Sequence, residues 1–247
     1  MFLRSLFPRF FRRLWRNAVF CEKVEGHHIK SMVIVFSAIS FALALAGFLY
    51  GAFCLFRSKK PLYFKLLVSS TGCLAFERLS ALVNYLTDGY YYVTLGGLGI
   101  FGALLFLLSA NYGLLNHIVD DGVGTAKYRL IACVAPVLSI LALVRIFFCT
   151  FPLGPFVAGA IIFILLPIIP ASYFSLKHLI LPLDAVGLLK ATRWSDLCAL
   201  LFYLSLVIAT IALSQGKEWG NFFSVLSAVF SALISVSTVR GERIWKT

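Results

Sequence analysis

Apolar residues fall in seven long blocks along this chain, separated by short polar, glycine- and proline-containing breaks. The blocks run from Met32 to Phe56, about Leu62 to Leu86, about Val93 to Leu115, about Leu130 to Phe151, Phe156 to about Leu176, Leu197 to Leu213, and about Phe222 to Val239. A helix needs about 20 apolar residues to cross a hydrocarbon core. Barrel strands would instead alternate over about ten residues, so the continuous runs predict helices. Arg57-Ser58-Lys59-Lys60-Pro61, Thr87-Asp88-Gly89, Asp120-Asp121-Gly122, Pro152-Leu153-Gly154-Pro155 and Ser214-Gln215-Gly216-Lys217-Glu218 mark the breaks. Pro136, Pro167 and Pro170 lie inside blocks, where each removes a backbone donor and is expected to kink its helix, as membrane bundles tolerate.

Ahead of the first block a different pattern appears. Leu3, Leu6, Phe7, Phe10, Phe11, Leu14 and Ala18 follow helical spacing, with Arg9, Arg12, Arg13 and Arg16 between them. This predicts a basic amphipathic helix lying on a membrane surface, with anionic lipid as the partner of those arginines. The chain is thus expected to be an all-α membrane protein: a basic amphipathic tail over residues 1–30, a bundle of seven transmembrane helices over 31–239, and a short basic tail over 240–247.

Composition agrees. Of 247 residues, 61% are hydrophobic and 13% charged, against about 45–50% and about 25% in soluble domains. The net charge of +12 does not point to nucleic acid, because the basic residues sit in tails and short connections rather than on one folded surface. They bear on orientation instead. Outside the tail, Arg57, Lys59, Lys60, Lys65, Lys127, Arg129, Lys177, Lys190, Arg193, Arg240, Arg243 and Lys246 share one side of a seven-span topology, while Arg145 and Lys217 take the other. Positive charge favours the cytoplasm, which puts the C-terminus inside and the N-terminus outside; the basic tail opposes that count. None of the six cysteines forms a C-x-x-C pair, so neither a disulfide framework nor a zinc site is expected.

Three groups of polar residues could carry chemistry. Glu77 and Arg78 lie within the second block, where charge is costly and tends to mark function. Adjacent residues point about 100° apart on a helix, so each is expected to find a partner elsewhere, with Arg145 the leading candidate for Glu77. His117, Asp120 and Asp121 close the third block at its cytoplasmic end, His117 and Asp121 being four apart and able to share a helix face. His178, Asp184 and Asp196 are expected on the same membrane side. Asp121-Gly122 followed by Ala126-Lys127 is similar to part of the aspartate-rich signature of the CDP-alcohol phosphotransferases. However, the spacing is one residue longer, Lys127 replaces an arginine, and the second aspartate pair is missing, so no function is carried over. Gly97-x-Gly99-x-x-Gly102 has the letters of a dinucleotide motif without the strand it requires. With Gly47-x-x-x-Gly51 and with Ser227, Ser231 and Ser235, it reads as a seam of small residues where helices approach closely. Tyr90-Tyr91-Tyr92, Trp194, Trp219 and Trp245 fit an aromatic belt. No catalytic residue, cofactor site or metal site is assigned.

The architecture resembles the seven-helix input modules of bacterial sensor kinases, a resemblance of architecture that carries no residues over. It implies a sensor or partner-binding membrane module, with any signal passed to a separate protein. A small-solute transporter is the alternative, and a membrane enzyme with a polar cytoplasmic site the second; no long internal repeat of the transporter kind is present.

Overall fold

The computed structural model describes residues 27–57, 61–87, 93–119, 126–181 and 187–246. Every described element is helical: α1 (His27–Arg57), α2 (Leu62–Thr87), α3 (Val93–Val119), α4 (Ala126–Ala132), α5 (Val134–Thr150), a 3-10 turn (Phe151–Leu153), α6 (Pro155–Leu165), α7 (Ile168–Ile180), α8 (Gly187–Ser214) and α9 (Trp219–Lys246). They give seven helical spans long and apolar enough to cross a membrane, with α4–α5 and α6–α7 each forming one span in two pieces. The predicted surface helix over Leu3 to Ala18 lies outside the described residues. α1 starts within the segment assigned to the tail, at His27, and α9 carries on through the basic C-terminal stretch to Lys246.

Both two-piece spans break where proline withholds an amide. Pro136 cannot donate to the Ala132 carbonyl, and the helix is interrupted at Cys133, whose own amide is shared between the Arg129 and Leu130 carbonyls at 3.2 Å each. Pro170 cannot reach Leu166, so the Ile169 amide takes that carbonyl at 3.1 Å. This tightens the chain into a turn at Leu166–Pro167. Gly154, at φ 124°, makes the corner between α5 and α6. Gly216, at φ 67°, ends α8 in a left-handed turn closed by the Lys217 amide on the Ala212 carbonyl at 2.9 Å.

The core explains how the helices stack. Leu67 and Leu74 of α2, Leu104 and Leu107 of α3, Ile146 of α5, Phe202 and Leu206 of α8 and Ile234 of α9 are buried together in one apolar cluster. Phe64, Val68 and Val239 form a smaller cluster that takes in Phe48, Ala52 and Leu55 of α1. Outward faces stay apolar: Val35, Phe53 and Phe56 on α1 and Val137, Leu141 and Phe148 on α5 are exposed. Such faces suit lipid, where burial gives no driving force and close backbone approach must hold helices together. Small residues supply that approach. A methyl group at Gly47 would stand 2.6 Å from the Ala232 Cα, and one at Gly99 would stand 2.8 Å from the Cys73 carbonyl oxygen. The two glycine motifs are therefore helix contacts, α1 on α9 and α3 on α2.

Candidate functional site

Buried side chains that carry or share charge gather in two places among the described residues, and α2 links them, with Ser70 and the Thr71–Ser235 hydroxyl pair in between. Fifteen residues separate Tyr63 from Arg78, which is about 22 Å at 1.5 Å per residue.

The first centre surrounds Glu77 and Arg78, both buried. Their side chains curl together despite their adjacent Cα positions, and Arg78 Nε meets Glu77 Oε2 at 2.9 Å. The two remaining Arg78 nitrogens reach α9: Nη2 donates to Ser227 Oγ at 2.7 Å and Nη1 donates to Ser224 Oγ. A guanidinium fork spends its donors on three acceptors in this arrangement. The expected partner was wrong. Arg145 is exposed on α5 and forms no ion pair among the described residues; a flexible side-chain stem overcame the 100° separation of neighbouring positions. Ser227 serves as an arginine acceptor as well as a seam residue. Gly99 lies over Glu77, where a methyl group would come within 2.8 Å of the Glu77 Cβ, so a residue with no side chain keeps α3 close to the pair.

The second centre lies at the other end of the bundle, where α7 finishes and α8 begins. His178 Nδ1 stands 3.5 Å from Asp196 Oδ2, and each side chain is 2% exposed. Among the described residues neither atom meets a partner at hydrogen-bonding geometry. Asn111 Nδ2 of α3 donates to Ser175 Oγ of α7 at 2.8 Å, and Asn111 and Thr192 also act on the Asp196 carboxylate as hydrogen-bonding groups. Tyr63 of α2 and Ser195 of α8 join their hydroxyls at 3.0 Å, while Ser195 donates to the Thr192 carbonyl at 2.6 Å. Tyr203, about two helical turns beyond Asp196, is buried, with the Ser175 hydroxyl acting on it as a hydrogen-bonding group. Arg193 donates to the Leu181 carbonyl at the end of α7, tying together the two helices that carry His178 and Asp196.

Only part of this second centre was visible beforehand. His178 and Asp196 were expected on one membrane side, and they meet. Asn111, Ser175 and Tyr203 carry no spacing signal as single polar groups in apolar runs, and Thr192 and Ser195 precede the run that starts at Leu197. Asp184, Asp120 and Asp121 lie outside the described residues, as does the side chain of His117. Among the described residues no group of three or more histidine, cysteine, aspartate or glutamate side chains could hold a metal ion.

No family model, curated protein or solved structure matches this chain, so the chemistry of both centres is argued from their own geometry.

Proposed function

We propose that this chain is a multi-pass integral membrane protein that works as a seven-helix sensor or partner-binding module. The observation that carries this reading is the apolar layer between the two polar centres. Leu67, Leu74, Leu104, Leu107, Phe202, Leu206 and Ile234 are at most 4% exposed, and they fill the bundle between Glu77–Arg78 and His178–Asp196. The buried charged side chains among the described residues sit towards the two ends, and the packed middle holds only neutral hydroxyls such as Ser70 and the Thr71–Ser235 pair; this suits a module whose ends respond to or engage something, more than one that passes a solute through its centre.

The same reading puts the C-terminus in the cytoplasm, with the end of the bundle that holds His178 and Asp196, because basic side chains collect there. Lipid surrounds the outward faces, anionic lipid meets Arg9, Arg12, Arg13 and Arg16, and a protein partner takes the signal. Cysteine-accessibility labelling tests the topology: a probe added to intact cells should leave a C-terminal cysteine unmodified, and modification from outside rejects the orientation.

Photo-crosslinking residues placed along the exposed faces of α1 and α5 test the module reading in native membranes. A discrete protein adduct supports it. Adducts to lipid alone, together with ion or solute flux in proteoliposomes, reject it in favour of a transporter.

A further inference from the structure

Asp196 poses a charge problem that the fold does not answer. Its side chain is buried deep enough that an isolated carboxylate would be strongly disfavoured, and among the described residues no lysine or arginine forms an ion pair with it. The neighbours acting on it are His178, Thr192 and Asn111, all neutral unless the histidine is protonated. The Oδ2 and Nδ1 atoms face each other at 3.5 Å, beyond direct hydrogen bonding, and among the described residues neither meets a partner at hydrogen-bonding geometry. A proton on Nδ1, or a cation held by both side chains, would join the two atoms.

Among the described residues the basic groups nearby do not pair with Asp196. Arg193 donates to the Leu181 carbonyl, Lys177 and Arg129 have interactions of their own, and Arg240 is exposed on α9. Tyr63 and Tyr203 stand within the field of the carboxylate. α3 brings Tyr112 to this end, exposed and packed by its ring against Phe174 of α7. What surrounds Asp196 is polar and neutral: the Thr192 hydroxyl and the Asn111 amide hydrogen-bond to it, and the hydroxyls of Ser175 and Tyr203 lie beyond them. Hard cations take such donors.

We propose that Asp196 and His178, with Asn111, Ser175, Thr192 and Tyr203 around them, form a binding site for one small monovalent cation, a proton or a sodium ion. The bound charge neutralises the carboxylate and joins α7 to α8. The site lies at the end of the bundle, His178 being two residues from the end of α7. This goes beyond the module reading and does not depend on it, since a transporter or an enzyme could hold the same ion.

The test uses the full chain in nanodiscs of zwitterionic lipid, with a thiol-reactive dye reporting unfolding at fixed temperature. One arm exchanges choline for sodium at constant ionic strength and pH 8; the other lowers the pH in choline to about 5.5. Occupancy of a folded-state site slows unfolding by mass action. The wild-type chain should unfold roughly ten-fold more slowly in at least one arm, and Asp196→Asn should lose that response. His178→Gln should lose the proton response and keep any sodium response, which identifies the ion. Equal responses in the wild type and Asp196→Asn overturn the proposal, as does a wild-type rate indifferent to both arms. If Asp196→Asn does not assemble, Ser175→Ala with Tyr203→Phe removes two oxygen donors and keeps the carboxylate. A weakened response in that variant supports the site, and an unchanged one rejects it.

Discussion

The Glu77–Arg78 and His178–Asp196 centres each bury a carboxylate beside a basic side chain, yet they resolve the charge in opposite ways. At Glu77 the opposite charge is fixed, adjacent in sequence and 2.9 Å away, and the guanidinium spends its other nitrogens on two serines of α9. At Asp196 the basic partner is a histidine whose charge is conditional, and 3.5 Å separates the facing atoms. One centre carries its own fixed cation and serves as a fastening between α2 and α9. The other is left open to a proton or an ion. A buried ion pair is thus not one kind of feature, and the number of donors the partner can distribute decides which kind it is.

The largest effect should come from breaking the complete centre. Replacing Arg78 with Leu leaves Glu77 buried without its cation, and the loss of one member of a buried pair costs about 3–5 kcal/mol. Steric-trapping measurements of unfolding in bicelles should show a loss of that size, and a loss near zero would mean the pair is not a fastening. Next comes the seam that holds α1 on α9. Gly47→Ala forces a methyl into the Ala232 backbone and should cost about 1–3 kcal/mol by overpacking, read in the same assay.

The comparison itself is sharpest in a matched pair of carboxylate-to-amide changes. Glu77→Gln weakens a charge-assisted contact and should destabilise by about 1–3 kcal/mol. Asp196→Asn, at pH 8 without sodium, removes a charge that lacks a fixed partner and should cost nothing or stabilise slightly. Equal losses for the two would erase the distinction drawn between the centres. The smallest effect belongs to Tyr63→Phe, which deletes a neutral hydroxyl bond to Ser195 and should cost about 0.5–1.5 kcal/mol. Thermal unfolding resolves it, and a larger loss would show that α2 supports the second centre more than that bond implies.

The spans were legible because lipid demands long apolar runs and the chain supplies seven. The expected block from Met32 to Phe56 differs by one residue from the span Met32–Arg57. The sixth block was placed from Leu197, whereas the span starts at Thr192 and its helix at Gly187. That difference hid the second centre, since Thr192, Ser195 and Asp196 looked like a connection. Polarity marks a helix end only when the residues face water, and here they face a bundle interior that hydrogen-bonds them. The Arg145 pairing failed for another reason. Backbone angles were used where side-chain reach decided, and Arg78 is long enough to fold back on its neighbour. Ser227, Ser231 and Ser235 read as small, but smallness alone does not reveal that Ser227, with Ser224 beside it, accepts from an arginine.

The proline breaks also bear on how the chain reaches its membrane during synthesis. α6 has 11 residues and α7 has 13, which makes them about 16 and 20 Å long, against a hydrocarbon core of about 30 Å. Neither piece alone can bridge the bilayer, and a half-inserted fifth span would leave the turn at Leu166–Pro167 with exposed carbonyls in lipid. Biogenesis must therefore deliver α6 and α7 to the membrane as one unit. A ribosome stalled between them would hold an intermediate that has no stable transmembrane position.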